Sequence, residues 1–565
     1  MGESPAAERI LQYHDRTKHY PMRFARSLGY LDWANQPNPF RKFKGARKVL
    51  LPIDSSAGAA AHQNLYAGFG RGEISEPLTI KSLGRFFELS LGITAWKSYE
   101  SSRWALRANP SSGNLHPTEG YVILPAIPEI GESSGVYHYR SVDHALEERC
   151  KFTKEVFTSL ARGFVSNTFF VGLTSIHWRE AWKYGERAFR YCQHDVGHAI
   201  GSLQFAAAAL GWRFSVLSVP SDDEVSDLLG LSRKMDFEGA ELEQPDLIGF
   251  VQTEPGTAEL NVLNTFPPDA ARLQLLIAPW SGIANILSAD HVEWDAIDAA
   301  AAAAQKPRTV NIAIQDAERP PEPGTVTLTN ADTPAATLIR QRRSATAFDA
   351  KTPMARDAFM NILDATLPRW NASPFCSISD MLDLRASVHL AIFVHRVEGL
   401  EPGIYFLLRD AALLDRIRAA TRPAFEWKRV DNIPDYLPFY LLKKGDMRGY
   451  GASVSCNQDI AGDGAFSLGM ICDFENNISK RGAHFYRYAH WEAGLVGQVL
   501  YLEAEAAGFR GTGIGCFYDD EVHGLLGIKT HEWHTIYHFA CGMPVDDPRL
   551  QTGPGYTEGA RLLTD

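Results

Sequence analysis

The sequence predicts an α+β fold built twice in one chain, and three observations carry that prediction. Residues 183–230 recur without a gap as residues 480–527, 297 positions later, with 17 of 48 positions identical. Each copy alternates helical and strand signals. A proline-rich stretch separates the copies. A fused pair of homologous domains is a covalent version of a symmetric dimer, and the seam of a dimer is a common place for a ligand.

The elements follow in order. Residues 1–16 are polar and charged, without the apolar centre of a secretory leader. A helix includes residues 83–91, and a loop over 110–117 follows it. Residues 171–174 and 247–251 are short apolar runs of the kind found in buried strands. Between them, the Ala-rich residues 190–210 predict a helix that stops at Gly211, a residue suited to the left-handed C-cap. The alanine run 299–304 predicts the end of another helix. Pro307, Pro320, Pro321, Pro323 and Gly324 then deny regular structure to a spacer that lets the second domain fold back. The expected division is a first domain at 1–290, a linker at 291–330 and a second domain at 331–565. The second copy repeats the scheme, with a helix at 335–341, strands at 390–394 and 536–540, and a helix at 487–507 ending at Gly508. The repeated identities include Lys183, Gly185, Arg190, Tyr191, Gly197, Gly211 and Arg213. They meet Lys480, Gly482, Arg487, Tyr488, Gly494, Gly508 and Arg510, and Asp-Asp-Glu-Val at 222–225 returns at 519–522.

Composition narrows the function. At 565 residues the chain suits two large domains. A net charge of -11 argues against a nucleic-acid partner, which would ask for a basic patch. No apolar run approaches the ~20 residues of a membrane span, so a cytoplasmic protein is expected. The seven cysteines are scattered, with no C-x-x-C pair, and read as reduced thiols. His194 and His198 have metal spacing, but the glutamate of a metalloprotease is absent, and no metal is expected.

Four segments carry a resemblance. They are Pro110-Ser111-Ser112-Gly113-Asn114-Leu115-His116-Pro117, Lys-Tyr-Gly-Glu-Arg-Ala-Phe-Arg-Tyr at 183–191, Arg342-Arg343-Ser344 with Phe348, and Gly511-Thr512-Gly513-Ile514-Gly515. Together the chain resembles the nitroreductase superfamily of FMN proteins, and more narrowly the SagB/thiazoline-oxidase type dehydrogenases. The resemblance implies two nitroreductase-like domains, each a central, mostly antiparallel sheet flanked by helices. They would form a pseudo-dimer within one chain, with further pairing into homo-oligomers left open.

FMN makes three demands. Its phosphate asks for arginine or backbone amides. Its pyrimidine edge gains charge on reduction and asks for fixed donors. Its N5 position needs space and a close backbone. Arg342, Arg343 and Ser344 supply guanidinium groups and a hydroxyl. The resemblance implies that Arg342 and Ser344 meet the ribityl phosphate or the pyrimidine, although Thr346 stands where relatives often carry a basic residue. It places Gly513, Ile514 and Gly515 in a loop beside the ring, and Arg549 at the phosphate. Pro110, Ser111, Ser112 and Asn114 would reach across the interface. Each has a plainer alternative: a solvated helix end, a turn or a surface arginine. The first copy has Phe214-Ser215-Val216-Leu217-Ser218 in place of the glycine segment, and the second copy lacks the Pro-Ser-Ser-Gly-Asn loop. One FMN per chain is therefore expected, with the pseudo-symmetric site filled by Phe214 and its neighbours.

Lys183 and Tyr184 are the catalytic candidates. A desolvated lysine has a lowered pKa and can take a proton, and tyrosine can relay it. Arg187, Arg190 and Arg487 read as structural, with Asp195 or Glu492 as partners. The function expected is an FMN-dependent SagB-type dehydrogenase acting on a peptide-derived azoline, with oxygen as acceptor. One alternative is a reductase of nitro or quinone compounds with NAD(P)H as reductant. Another is a non-catalytic flavin-binding subunit of a peptide-modifying complex.

Overall fold

The repeat becomes visible as two helices of 22 residues, Ala188–Ala209 and Phe485–Ala506, displaced by the same 297 positions. The computed structural model describes residues 4–54, 56, 58–69, 75–256, 258, 260–311 and 320–557. Each long helix is followed by a glycine in the left-handed region, Gly211 at φ +71° and Gly508 at φ +77°, which a side chain would disfavour. Both helices are buried on nearly every face, charged side chains such as Asp195 and Glu492 included. They cross where Gly197 meets Gly494. A Cβ on either glycine would lie 2.8 Å from the other's Cα and would strike the facing backbone carbonyl, Trp491 or His194. The repeated glycine therefore marks the axis that relates the two halves.

Each domain has a seven-stranded antiparallel sheet with the same order. From edge to edge the first runs Arg47–Leu50, Ala145–Phe152, Ser134–Arg140, Thr118–Leu124, Phe169–Ser175, Gln244–Gln252 and Arg213–Val216. The second runs Lys428–Arg429, Phe439–Lys444, Gly403–Leu407, Val388–Val394, Phe466–Asp473, Trp533–Gly542 and Arg510–Ile514. The four strands expected from the sequence lie within these elements, and the two long helices match to within two residues at either end. A third sheet joins the halves: Gln551–Pro554, from the second domain, pairs with Ile93–Tyr99 of the hairpin that continues to Ser102–Arg107.

The repeated arginines hold the halves together. Arg190 pairs with Asp519 at 2.5 Å, and its twin Arg487 pairs with Asp222 at 2.5 Å. Asp222 and Asp519 are themselves twins, so the same bridge is made twice, each time between domains. Arg187 adds a 2.8 Å contact to Asp519. These partners replace the ones expected from sequence, for a geometric reason: Asp195 points at Ser112 and Glu492 is taken by Arg409. The stretch before each domain's core completes the bridge. The His19 amide donates to Asp519 at 2.8 Å, and the Lys306 amide donates to Asp222 at 2.9 Å. The first part of the expected linker is thus ordered. It contains the helix Asp295–Ala303, with Ile297, Ala300 and Ala303 buried.

Candidate functional site

A cavity of about 900 Å³ lies between the two domains. The first domain contributes Pro110, Ser111, Ser112, Gly113, Asn114, Tyr184 and Tyr191; the second contributes Arg342, Arg343, Ser344, Tyr501, Gly513, Ile514, Gly515 and Tyr537. Segments far apart in sequence meet there because the long helices cross beneath it, carrying Tyr191 and Asp195 from one side and Tyr501 from the other.

Arg342 is the strongest single feature. It is 3% exposed, and one nitrogen donates to the Arg107 carbonyl at 3.0 Å. Its Nε and Nη1 are buried without a partner. Its guanidinium lies 5.1 Å from the centre of the Tyr501 ring, and burial lowers its pKa. A buried guanidinium with free donors is costly unless an acceptor arrives. The Tyr501 hydroxyl links two further predicted residues, at 2.9 Å from Ser344 Oγ and 2.7 Å from the Gly513 amide that donates to it.

The loop over 110–114 is fixed from below. Ser112 donates to Asp195 through both its amide, at 3.0 Å, and its hydroxyl, at 3.1 Å. Ser111 Oγ accepts from the His116 amide at 2.8 Å. Asn114, in the left-handed region, donates from its side chain to the Ala105 carbonyl at 2.9 Å. Gly113 has φ +58°, and a Cβ there would sit 2.6 Å from the Tyr184 hydroxyl and 3.2 Å from Lys183 Nζ. The loop therefore packs directly on the Lys183–Tyr184 pair.

Three expectations change. Residues 511–515 are not a loop: the strand Arg510–Ile514 covers most of them. Their glycines answer protein rings, since side chains at Gly511, Gly513 and Gly515 would run into Phe539, Tyr537 and Tyr191. Lys183 is exposed, so the desolvation asked of a catalytic lysine is missing. Arg549 is absent from the cavity wall; it pairs with Asp547 at 2.6 Å with its side chain 69% exposed. Arg510, the repeat twin of Arg213, lines the wall instead.

Sequence reading also missed a carboxyl pair. Glu180 and Asp195 are both buried, and both reach the loop at 111–112: Glu180 through the Ser111 hydroxyl at 3.5 Å and Asp195 through Ser112. Burial pushes Asp195 up to about 7. Burial and then the Asp195 charge raise Glu180 well above the carboxylate range. The only signal was the conservative Asp195/Glu492 match in the repeat. Tyr184 is raised by burial first and Glu180 second, so its hydroxyl stays protonated. His194 stacks on Tyr537 at 4.2 Å, and His198 meets the Tyr537 hydroxyl at 3.0 Å.

The pseudo-symmetric position holds a smaller cavity, about 290 Å³, lined by Gln204, Trp212, Arg213, Ser373 and Cys376. Gln204 is the twin of Tyr501, and its side chain accepts the Phe214 amide at 2.8 Å. The Phe214 ring is fully buried.

Two sister α+β domains enclosing one basic and aromatic cavity define a class of fused pseudo-dimers. The family follows from the sequence: residues 99–239 and 339–543, more than half of the chain, match the nitroreductase family, and the chain belongs to it. A candidate nitroreductase of Methanocaldococcus jannaschii is 25% identical over 160 residues, 27% of this chain and 76% of its own. The crystal structure of a candidate nitroreductase from Anabaena variabilis superposes with a TM-score of 0.64 at 22% identity, over 95% of this chain and 99% of that one. The E. coli microcin synthetase McbBCD complex with truncated pro-MccB17 matches at a TM-score of 0.27 and 17% identity, over 45% of this chain and 93% of that one.

Proposed function

We propose that this chain is an FMN-dependent oxidoreductase that holds one FMN in the cavity between its domains. The observation that carries the proposal is Arg342, a buried guanidinium among the residues that wall a cavity between both halves of a nitroreductase-family chain. The volume falls in the range of cofactor and substrate sites. Bound FMN supplies two-electron redox chemistry. The protein supplies the rest. Arg342, Arg343 and Arg510 line the cavity and would set positive charge toward the cofactor's phosphate or its pyrimidine edge. Tyr501 holds Ser344 and the Gly513 amide in register. Asp195 fixes Ser112, and Ala105 fixes Asn114, so the loop closes the cavity from the first domain.

Proton handling falls to the first domain as well. Glu180 and Asp195, both raised by burial, hold protons below the 111–112 loop, and Tyr184 presents a neutral hydroxyl. Lys183 stands outside Tyr184, its Nζ 5.2 Å from the ring centre. Together these groups support dehydrogenation, which must dispose of a proton for each hydride removed. The finer reading is a SagB-type dehydrogenase of a peptide-derived azoline.

The test is the absorbance spectrum of purified protein with the flavin-to-chain ratio. One FMN per chain is expected, with Arg342→Ala losing it while the far-ultraviolet spectrum is kept. A colourless protein that takes up no added FMN, or two FMN per chain, overturns the proposal. Steady oxidation of NAD(P)H with a quinone acceptor would replace the dehydrogenase with a reductase at the same site.

A further inference from the structure

Two cysteines meet at the edge of the same cavity. Cys456 Sγ and Cys516 Sγ lie 2.9 Å apart, both unbonded to any other cysteine and both partly exposed, and Cys516 forms part of the cavity wall. The sequence separates them by 60 positions and gives no spacing motif. The fold brings them together deliberately. The Tyr518 amide donates to the Val454 carbonyl at 2.9 Å, Gln458 Nε2 donates to the Cys516 carbonyl at 2.9 Å, and Asn457 Nδ2 donates to the Tyr518 hydroxyl at 3.2 Å. Cys456 and Asn457 are both left-handed at φ +57°. Neither is glycine, so the conformation is strained and held by its surroundings.

The two sulfurs differ in environment. Cys516 lies beside His19, whose Nδ1 accepts the Ala25 amide at 2.9 Å. Arg187 reaches the neighbouring Gly515 carbonyl at 3.3 Å. The contact with Cys456, then His19, lowers the Cys516 thiol, while the same contact raises Cys456. A thiolate in a positive setting beside a second thiol is the arrangement that thiol–disulfide exchange requires.

We infer that Cys456 and Cys516 form a redox-active dithiol that reduces small disulfides reaching the cavity. Cys516 thiolate attacks one sulfur of the incoming disulfide, forming a mixed disulfide and releasing one thiolate. Cys456 then attacks the Cys516 sulfur, closing the Cys456–Cys516 bond and releasing the second. The two protein sulfurs lose two electrons and the small disulfide gains them; of the two released thiolates, one takes the Cys456 proton and the other a proton from solvent. The inference does not depend on what else the cavity holds.

The probe is 4,4′-dithiodipyridine in excess over the whole native protein, with thiopyridone release followed by absorbance. A fast phase of two equivalents is expected, with no pyridyl group retained and a peptide map linking Cys456 to Cys516. Cys456→Ala should release one fast equivalent and keep a pyridyl group on Cys516. Cys516→Ala should lose the fast phase. The five other cysteines are buried and should react slowly. Wild-type protein that releases one equivalent and keeps the pyridyl group, or that reacts first at another cysteine, overturns the inference, and this arm needs no variant to fold.

Discussion

Asp195 shows how one buried side chain links stability to function. Its folded-state pKa, about 7, lies above the ~4 of an unfolded aspartate. Between these values the folded protein binds the extra proton, so stability falls as pH rises through that window and stays low above it. Asp195→Asn removes the titration, and thermal melts from pH 4 to pH 8 should show its disadvantage shrinking, or reversing, toward alkaline pH. A constant offset at every pH would mean that Asp195 is ionised throughout. The same variant should slow turnover more than it weakens flavin binding, because the amide still holds Ser112 but cannot take up or release a proton. Such a residue was illegible in the sequence. Burial and a partner 15 positions earlier create its chemistry, and neither leaves a local pattern. Arg342 and Ser344 could be read, because their chemistry belongs to the residue types themselves. Arg549 misled because only the path of the C-terminal segment decides whether Asp547 or the cavity receives it.

At the scale of elements, the long helices were the most legible part of the chain, since alanine content and a terminal glycine both survive in the repeat. Their crossing was not legible, although its mark was present. Gly197 and Gly494 are identical because neither position has room for a Cβ. Gly494→Val should cost about 1–3 kcal/mol or more, the penalty of overpacking, and lower the denaturation midpoint at an unchanged m-value. The glycine segment 511–515 misled in the opposite way. Glycine suggests a loop when context is unknown, but here it clears space for rings of the neighbouring strand and of the first long helix. The third sheet could not be foreseen, because pairing of Gln551–Pro554 with the other domain's hairpin depends on the closed pseudo-dimer. Replacing Thr552 with proline should remove a backbone donor from that strand and loosen the arm. Faster hydrogen exchange confined to the 93–107 hairpin and the arm would show it; exchange unchanged there would mean that the arm carries no load.

For the whole molecule, fusion frees each half to keep only the parts that one shared cavity needs, while the clasp that joins the halves must remain symmetric. One of the two clasps is free of the chemistry. Arg487, Asp222 and Lys306 form it, and none of them lines the cavity that holds Arg342 and Tyr501. Breaking a buried ion pair from one side leaves the other charge stranded, at a cost of about 3–5 kcal/mol. Arg487→Ala should therefore lower the melting temperature markedly and leave the flavin-to-chain ratio unchanged. One apolar core runs continuously through both domains by way of the two long helices, so the wild type and the variant should each melt in one calorimetric transition. Two resolved transitions in the wild type would mean that the halves fold as neighbours rather than as one body, and the seam could not then hold a rigid cofactor site.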